Sequence, residues 1–303
     1  MSTTPDVDVT PSSPLHITDN NRTFKTVTIE PGGQIFVRTS APIEITNLTK
    51  ASVNASALKL ETGHATNAEA LALSANQSTP DISIMGETGQ FGSPGISGAN
   101  GTNGTAGSDA HCNWATKCTD GSAGTAGGNA GSGGDASNGG KGGDVLPVTM
   151  SIGTLTGTIF IVSGGGPGGQ GGSGGQGGNG GNGGKGGDGA SDGAYSHDGY
   201  AGGNGGNGGN GGKGGDGGDG GNGALISIRY GKLTPGSGFV PSAITASPGN
   251  GGSGGVGGVG GSGGTGGTRG GTNGSPGQAG YGGKAGSKGS SSGQPSVFNI
   301  QQV

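Results

Sequence analysis

Glycine recurs every third residue through six separate stretches of this chain, and that register limits the fold more than anything else in the sequence. Arm one has it at 86, 89, 92, 95, 98, 101, 104 and 107. Arm two, Gly121 to Gly142, has Gly or Ala at each third position. Arms three, four and five read Gly-Gly-X, with X from Pro167 to Asp188, Asn204 to Asn222 and Asn250 to Thr268. Arm six returns to one glycine in three, from 274 to 289. In all, 85 of 303 residues are Gly, several times the usual share of roughly 7%. A flexible Gly/Ser linker has no reason to keep this phase. The chain reads as ordered.

A period of three is that of an extended left-handed helix rising about 3.1 Å per residue, which makes no internal hydrogen bonds. Its N–H and C=O groups must find neighbours. Where neighbours lie close, only Gly fits the facing ridge. Collagen would need roughly 15–20% Pro, and 14 Pro in 303 residues are too few. The expected fold class is therefore a polyglycine II helix bundle, six antiparallel arms in three hairpins, capped at one end by a small β-rich domain. Two Gly per turn places arms three, four and five inside and arms one, two and six on the flanks. Arms of about 24 residues would span roughly 75 Å.

The segments between the arms alternate in character. After arms two and four come apolar, β-like stretches, 145–162 and 224–246, and after arm six the segment 293–303. After arms one, three and five come polar loops at 109–119, 190–201 and 269–273. The arms that open each unit start near residues 86, 163 and 247, a threefold repeat of long hairpins spanning 86–292. Residues 1–20 read as an extended segment and 21–85 as a β-rich base or attachment domain. Within the base, Phe24–Ile29 and Ile35–Thr39 flank Glu30-Pro31-Gly32-Gly33, which predicts a hairpin. Ile43–Leu48, Leu58–Leu60, Leu71–Leu73 and Ile82–Met85 read as further strands, with Ala68–Ala75 open to a helical turn.

The loops at the far end hold the chemistry. They contain the only Trp, Trp114, with Tyr195, Tyr200, His111, His197 and both cysteines, in a chain of 4% aromatics. Trp, Tyr and Arg are favoured anchors of binding hot spots. The receptor-binding set is therefore His111, Trp114, Lys117, Tyr195, His197, Tyr200 and Arg269. Cys112 and Cys118 are expected to form a disulfide. Reduced thiols and a metal site with His111 and His197 are the alternatives, and that spacing matches no zinc pattern. No metal or cofactor is expected. GxGxxG matches follow from composition and sit at no strand-to-helix turn. No acid pair, Ser-His-Asp grouping or HExxH stands out, which predicts a non-enzyme. The charge of −4 gives no nucleic-acid footprint. No apolar run is long enough for membrane insertion, and no secretory signal is visible. Lys185/Asp188 and Lys213/Asp216 read as solubilising surface charges.

The Gly-Gly-X runs GGNGGNGGKGGDG and GGNGGNGGNGGKGGDGGDGG, alternating with short loops, resemble the distal tail-fibre adhesins of T-even-like bacteriophages over residues 86–292. Springtail antifreeze proteins share the arm type but lack the aromatic loops. The phage resemblance implies a polyglycine sandwich whose loops bind a host cell-surface protein or glycan. Its base would join a tail fibre or a neighbouring subunit, and its location would be the tip of a virion tail fibre. The alternative is a structural subunit of an extracellular filament or surface layer, assembled by N-terminal strand addition. Ice binding by a flat face is a third reading, for which the Thr positions are too irregular.

Overall fold

The computed structural model describes residues 4–51, 79–115 and 117–303. Its strands are β1 (Asp6–Val9), β2 (Leu15–Ile17), β3 (Thr23–Ile29), β4 (Ile35–Val37), β5 (Ile43–Lys50), β6 (Ile82–Met85), β7 (Val148–Thr156), β8 (Thr158–Gly164), β9 (Ala190–Ser191), β10 (Ser196–His197), β11 (Leu225–Leu233), β12 (Gly238–Ala243) and β13 (Val297–Gln302). This corrects the expected fold class. The described residues contain no helix, and their regular secondary structure is strand, in two parallel sheets and one short antiparallel pair, so the chain is not a helix bundle with a small cap.

The reason lies in the apolar residues. They are few, but they alternate with period two wherever the glycine stops, and that period belongs to a half-buried strand. In β7 the inward Val148, Met150 and Ile152 are each at most 2% exposed, while Thr149 and Ser151 face out. Apart from β9 and β10, the chain deals its strands alternately to two sheets. Sheet one runs β1-β3-β5-β7-β11-β13 and sheet two runs β12-β8-β6-β4-β2. Their inner faces share one core, with Ile17, Ile29, Ile35, Ile43, Leu48, Ile82, Ile159 and Ile226 fully covered.

Among the described residues, the passages between the sheets lie at two rims. At one rim the connections include Glu30–Gly33 and Gly157. The predicted hairpin at 30–33 is such a passage: β3 and β4 lie in different sheets and do not pair. Gly157, at φ +90, likewise cuts the apolar stretch 145–162 into β7 and β8. Residues 1–20 supply β1 and β2, each hydrogen-bonded within its sheet. At this rim the buried Asp81 carboxylate accepts the Phe160 N–H at 2.8 Å and the Lys50 ammonium at 2.8 Å. The readings at 58–60, 68–75 and 71–73 lie outside the described residues.

At the opposite rim, arms replace turns. Arm one leaves β6, arm three leaves β8 and arm five follows β12; arms two, four and six lead into β7, β11 and β13. The first three form a layer that continues sheet two. Gly86 N–H donates to Gly164 C=O, and the ladder proceeds through Gly89 to Pro167 and Gly92 to Gln170. Arms two, four and six form a second layer, with Gly133 N–H on Asn210 C=O and Gly211 N–H on Tyr281 C=O. Antiparallel bonds join the layers, as from Gly134 N–H to Ile96 C=O and from Gly212 N–H to Gly175 C=O.

By these bonds arms three and four each touch four others, arms two and five three, and arms one and six two. Arm five is therefore no more enclosed than arm two. Close approach is the reason for glycine: a Cβ on Gly175 would lie 2.0 Å from Ile96 O, and one on Gly212 1.9 Å from Gly134 O.

The outward residues also bond. Two of every three N–H groups in an inner arm reach the neighbouring arms' carbonyls, and the third belongs to X. At several X positions an Asn or Asp on the adjacent arm supplies the acceptor: Asn100 Oδ1 takes Asn179 N–H at 2.8 Å, and Asn179 Oδ1 takes Val259 N–H at 3.1 Å. Asp188 is one of these acceptors, for Thr268 N–H at 2.8 Å, so it does more than carry surface charge. The Lys185 ammonium and then this N–H hold its carboxyl below the usual carboxylate range.

Candidate functional site: the loops at the arm tips

Three connections close the arms at the end away from the sheets. The first is a small cross-linked loop. His111 and Thr119 exchange backbone hydrogen bonds, and Cys112 and Cys118 form a disulfide within that frame. Asn113 Oδ1 accepts Ala115 N–H at 3.0 Å, and Lys117 turns the chain at φ 51. Trp114 is carried outward, 82% exposed. A side chain that large, held by a closed loop, presents apolar area with little backbone freedom left to lose.

The second connection is a short hairpin of β9 and β10. Asp192 Oδ1 accepts the Ala194 and Tyr195 N–H groups, and Gly193 supplies the left-handed residue at φ 88. Tyr195 is 44% exposed. The third connection is a tight turn with Arg269 at φ 69 and Gly270 at φ 99. Gly199 N–H donates to Arg269 C=O, tying it to the second connection.

The residues named from sequence separate into two groups. Tyr200 and His197 form a joint between loops. Their rings stack at 5.4 Å with 17° between planes, and the Tyr200 ring lies on Gly121, where a Cβ would sit 2.8 Å from Cε2. His197 Nδ1 faces the Asp198 carbonyl at 3.0 Å, and Nε2 faces Asp120 Oδ1 at 2.9 Å. The Asp198 carbonyl first, and then Asp120, raise the imidazole pKa above its ordinary value. Trp114, Tyr195, His111, Lys117 and Arg269 are exposed. Among the described residues, neither Trp114 nor Tyr195 stacks on another ring. Asp120 and Asp198 were not singled out in the sequence, although Asp120 abuts the first loop and Asp198 follows the histidine of the second.

The raised pKa gives a pH dependence. Protonated His197 donates to both acceptors, so its stabilisation of the joint is fully present below the unfolded-state pKa of about 6.5 and is lost as pH rises through the higher folded value. An NMR titration should place the His197 midpoint above that of an unstructured histidine, and Asp120→Asn should lower it. A midpoint indifferent to Asp120→Asn would show that the carboxylate does not face the ring in solution.

Among the described residues no group of three His, Cys, Asp or Glu side chains is placed to hold a metal ion, and the two cysteines are engaged with each other. No protein-family model matches the chain, and neither does any curated protein. Among solved structures, a springtail antifreeze protein from Granisotoma rainieri, described as a nine polyproline type II helical bundle whose crystal waters match the ice lattice, is 26% identical over 63% of this chain and 92% of that one. Its TM-score is 0.08.

Proposed function

We propose that the chain is a non-enzymatic receptor-binding adhesin whose tip loops contact a host cell-surface protein or glycan. The observation that carries this reading is Trp114, 82% exposed on a disulfide-closed loop at the end of a rigid scaffold, with Tyr195 exposed on the neighbouring loop. Exposed aromatics on loops held by ordered elements are a common plan for recognition. The arms serve as a stiff spacer, and the parallel sheets serve as the base that joins a tail fibre or a neighbouring subunit. A virion tail-fibre tip is the location proposed with this role, on the sequence resemblance. The filament alternative, which needs a donated N-terminal strand, draws no support from β1, already paired with β3 of its own sheet.

The test is binding of fluorescently labelled protein to a panel of Gram-negative cells, read by flow cytometry. Wild-type protein should bind a subset of strains, and Trp114→Ala with Tyr195→Ala should reduce that binding by at least about tenfold, since hot-spot truncations cost roughly 2 kcal/mol or more. Both side chains are exposed, so thermal stability should be unchanged. Equal binding by the double variant, or no binding to any strain, would refute the assignment.

A further inference from the structure

The two outer faces of the arm layers differ sharply in charge. The face of arms two, four and six carries Asp135, Lys141, Lys213, Asp219 and Lys284. On the face of arms one, three and five, outward side chains stand in rows of three, fixed by bonds such as Asn100 to Asn179 to Val259. From Thr88, Pro167 and Ser247 at the base up to Asn103, Asn182 and Ser262, these rows contain no charged residue. Charge returns only beside the tip, at Lys185, Asp188 and Asp109. The same face exposes Phe91 at 70%, Val256 at 68% and Val259 at 62%.

We infer that this face is an interaction surface for a second copy of the chain. Three features point to that partner. The first is area: three arms about 5 Å apart and about 70 Å long offer roughly 1,000 Å² a side, against about 800 Å² per partner in a stable interface. The second is symmetry. The outward residues of arm five run at every third position from Ser247 to Thr268, so Val256 and Val259 fall at its middle. A two-fold axis across the arms at that level sets Val256 of one copy on Val259 of the other, and the reverse, as an isologous contact requires. The same axis lays Phe91 opposite Ala106. The third is charge: a neutral face meets its own copy without repulsion, whereas the face of the second layer would juxtapose like charges. The inference rests on this face alone and does not depend on the adhesin reading.

Sedimentation velocity of the full chain, from about 1 to 100 µM, tests it. Wild-type protein should form a species of twice the monomer mass. Val256→Asp with Val259→Asp should raise its dissociation constant at least about tenfold, because the two-fold brings like charges together. Gln176→Glu with Asn179→Asp should act the same way on arm three while keeping the side-chain acceptor for Val259 N–H, so a folding defect in arm five cannot imitate the result. Tyr281→Asp, on the charged face, should leave the dimer intact. A wild-type monomer throughout that range would overturn the inference. So would dimers that survive both double variants, or a monomer whose neutral face instead retains an insoluble polysaccharide or ice.

Discussion

Gly212→Ala should destabilise the protein by roughly 4 kcal/mol, although it adds a single methyl group. The Cβ would lie 1.9 Å from Gly134 O and 2.4 Å from Gly134 C, both backbone atoms of arm two. Neither can rotate aside, so the arms must part by more than 1 Å. Several bonds depend on the present spacing: Gly212 N–H to Gly175 C=O, Gly133 N–H to Asn210 C=O, Gly211 N–H to Tyr281 C=O and Gly255 N–H to Gly212 C=O. Each contributes about 0.5–1.5 kcal/mol net, and more is lost where a buried group is left without a partner. Against a total stability of about 5–15 kcal/mol, that loss is large. The internal control is Gly282, whose Cβ would meet only Gly255 O, at 3.7 Å. Gly282→Ala should be neutral, or stabilising by up to about 1 kcal/mol through the unfolded chain. Denaturant titration of the two variants reads the contrast. Equal effects would mean that the arms do not pack as described.

The second large effect is expected in the sheets. Ile152 is 2% exposed in β7, between β5 and β11, opposite Ile45 and Tyr230. Ile152→Ala should cost about 2–5 kcal/mol, the range for removing a large aliphatic side chain from a core that cannot collapse. Ile152→Asp should yield no folded protein, because an unpaired carboxylate there has no compensating partner. Ser151→Ala, on the outer face of the same strand, should stay within about 0.5 kcal/mol of wild type. Because arm two runs directly into β7, the Ile152→Ala loss should also appear in the arms. A melt in which they keep their wild-type midpoint would show that arms and sheets unfold separately.

The arms were legible because glycine phase is a local signal. So was the placement of the loops at one end and the apolar stretches at the other. The pairing of those stretches was not. Strands such as β5 and β7 lie side by side although a pair of arms separates them in sequence, and parallel pairing leaves no turn between partners to read. Gly157 looked like one glycine within a continuous apolar run, yet its positive φ passes the chain from one sheet to the other. The surface role assigned to Asp188 missed its bond to Thr268, which depends on the register of two arms distant in sequence. At the tip, the sequence placed Tyr195 and Tyr200 together as binding residues. The contact with Gly121, together with the stacking on His197, marks Tyr200 as part of a joint, and nothing in local sequence foretells the Gly121 contact.

The central claim is that the glycine arms are a hydrogen-bonded lattice that holds the tip rigidly away from the sheets. Hydrogen–deuterium exchange resolved to single amides in arms three and four tests it most directly. The Gly172, Gly175, Gly178, Gly212 and Gly215 N–H groups each donate to a backbone carbonyl of a neighbouring arm at 2.8–3.0 Å. They should exchange orders of magnitude more slowly than in an unstructured glycine peptide, at rates approaching those of the β7 core. Exchange of these amides at the free-peptide rate, with β7 still protected, would contradict the account.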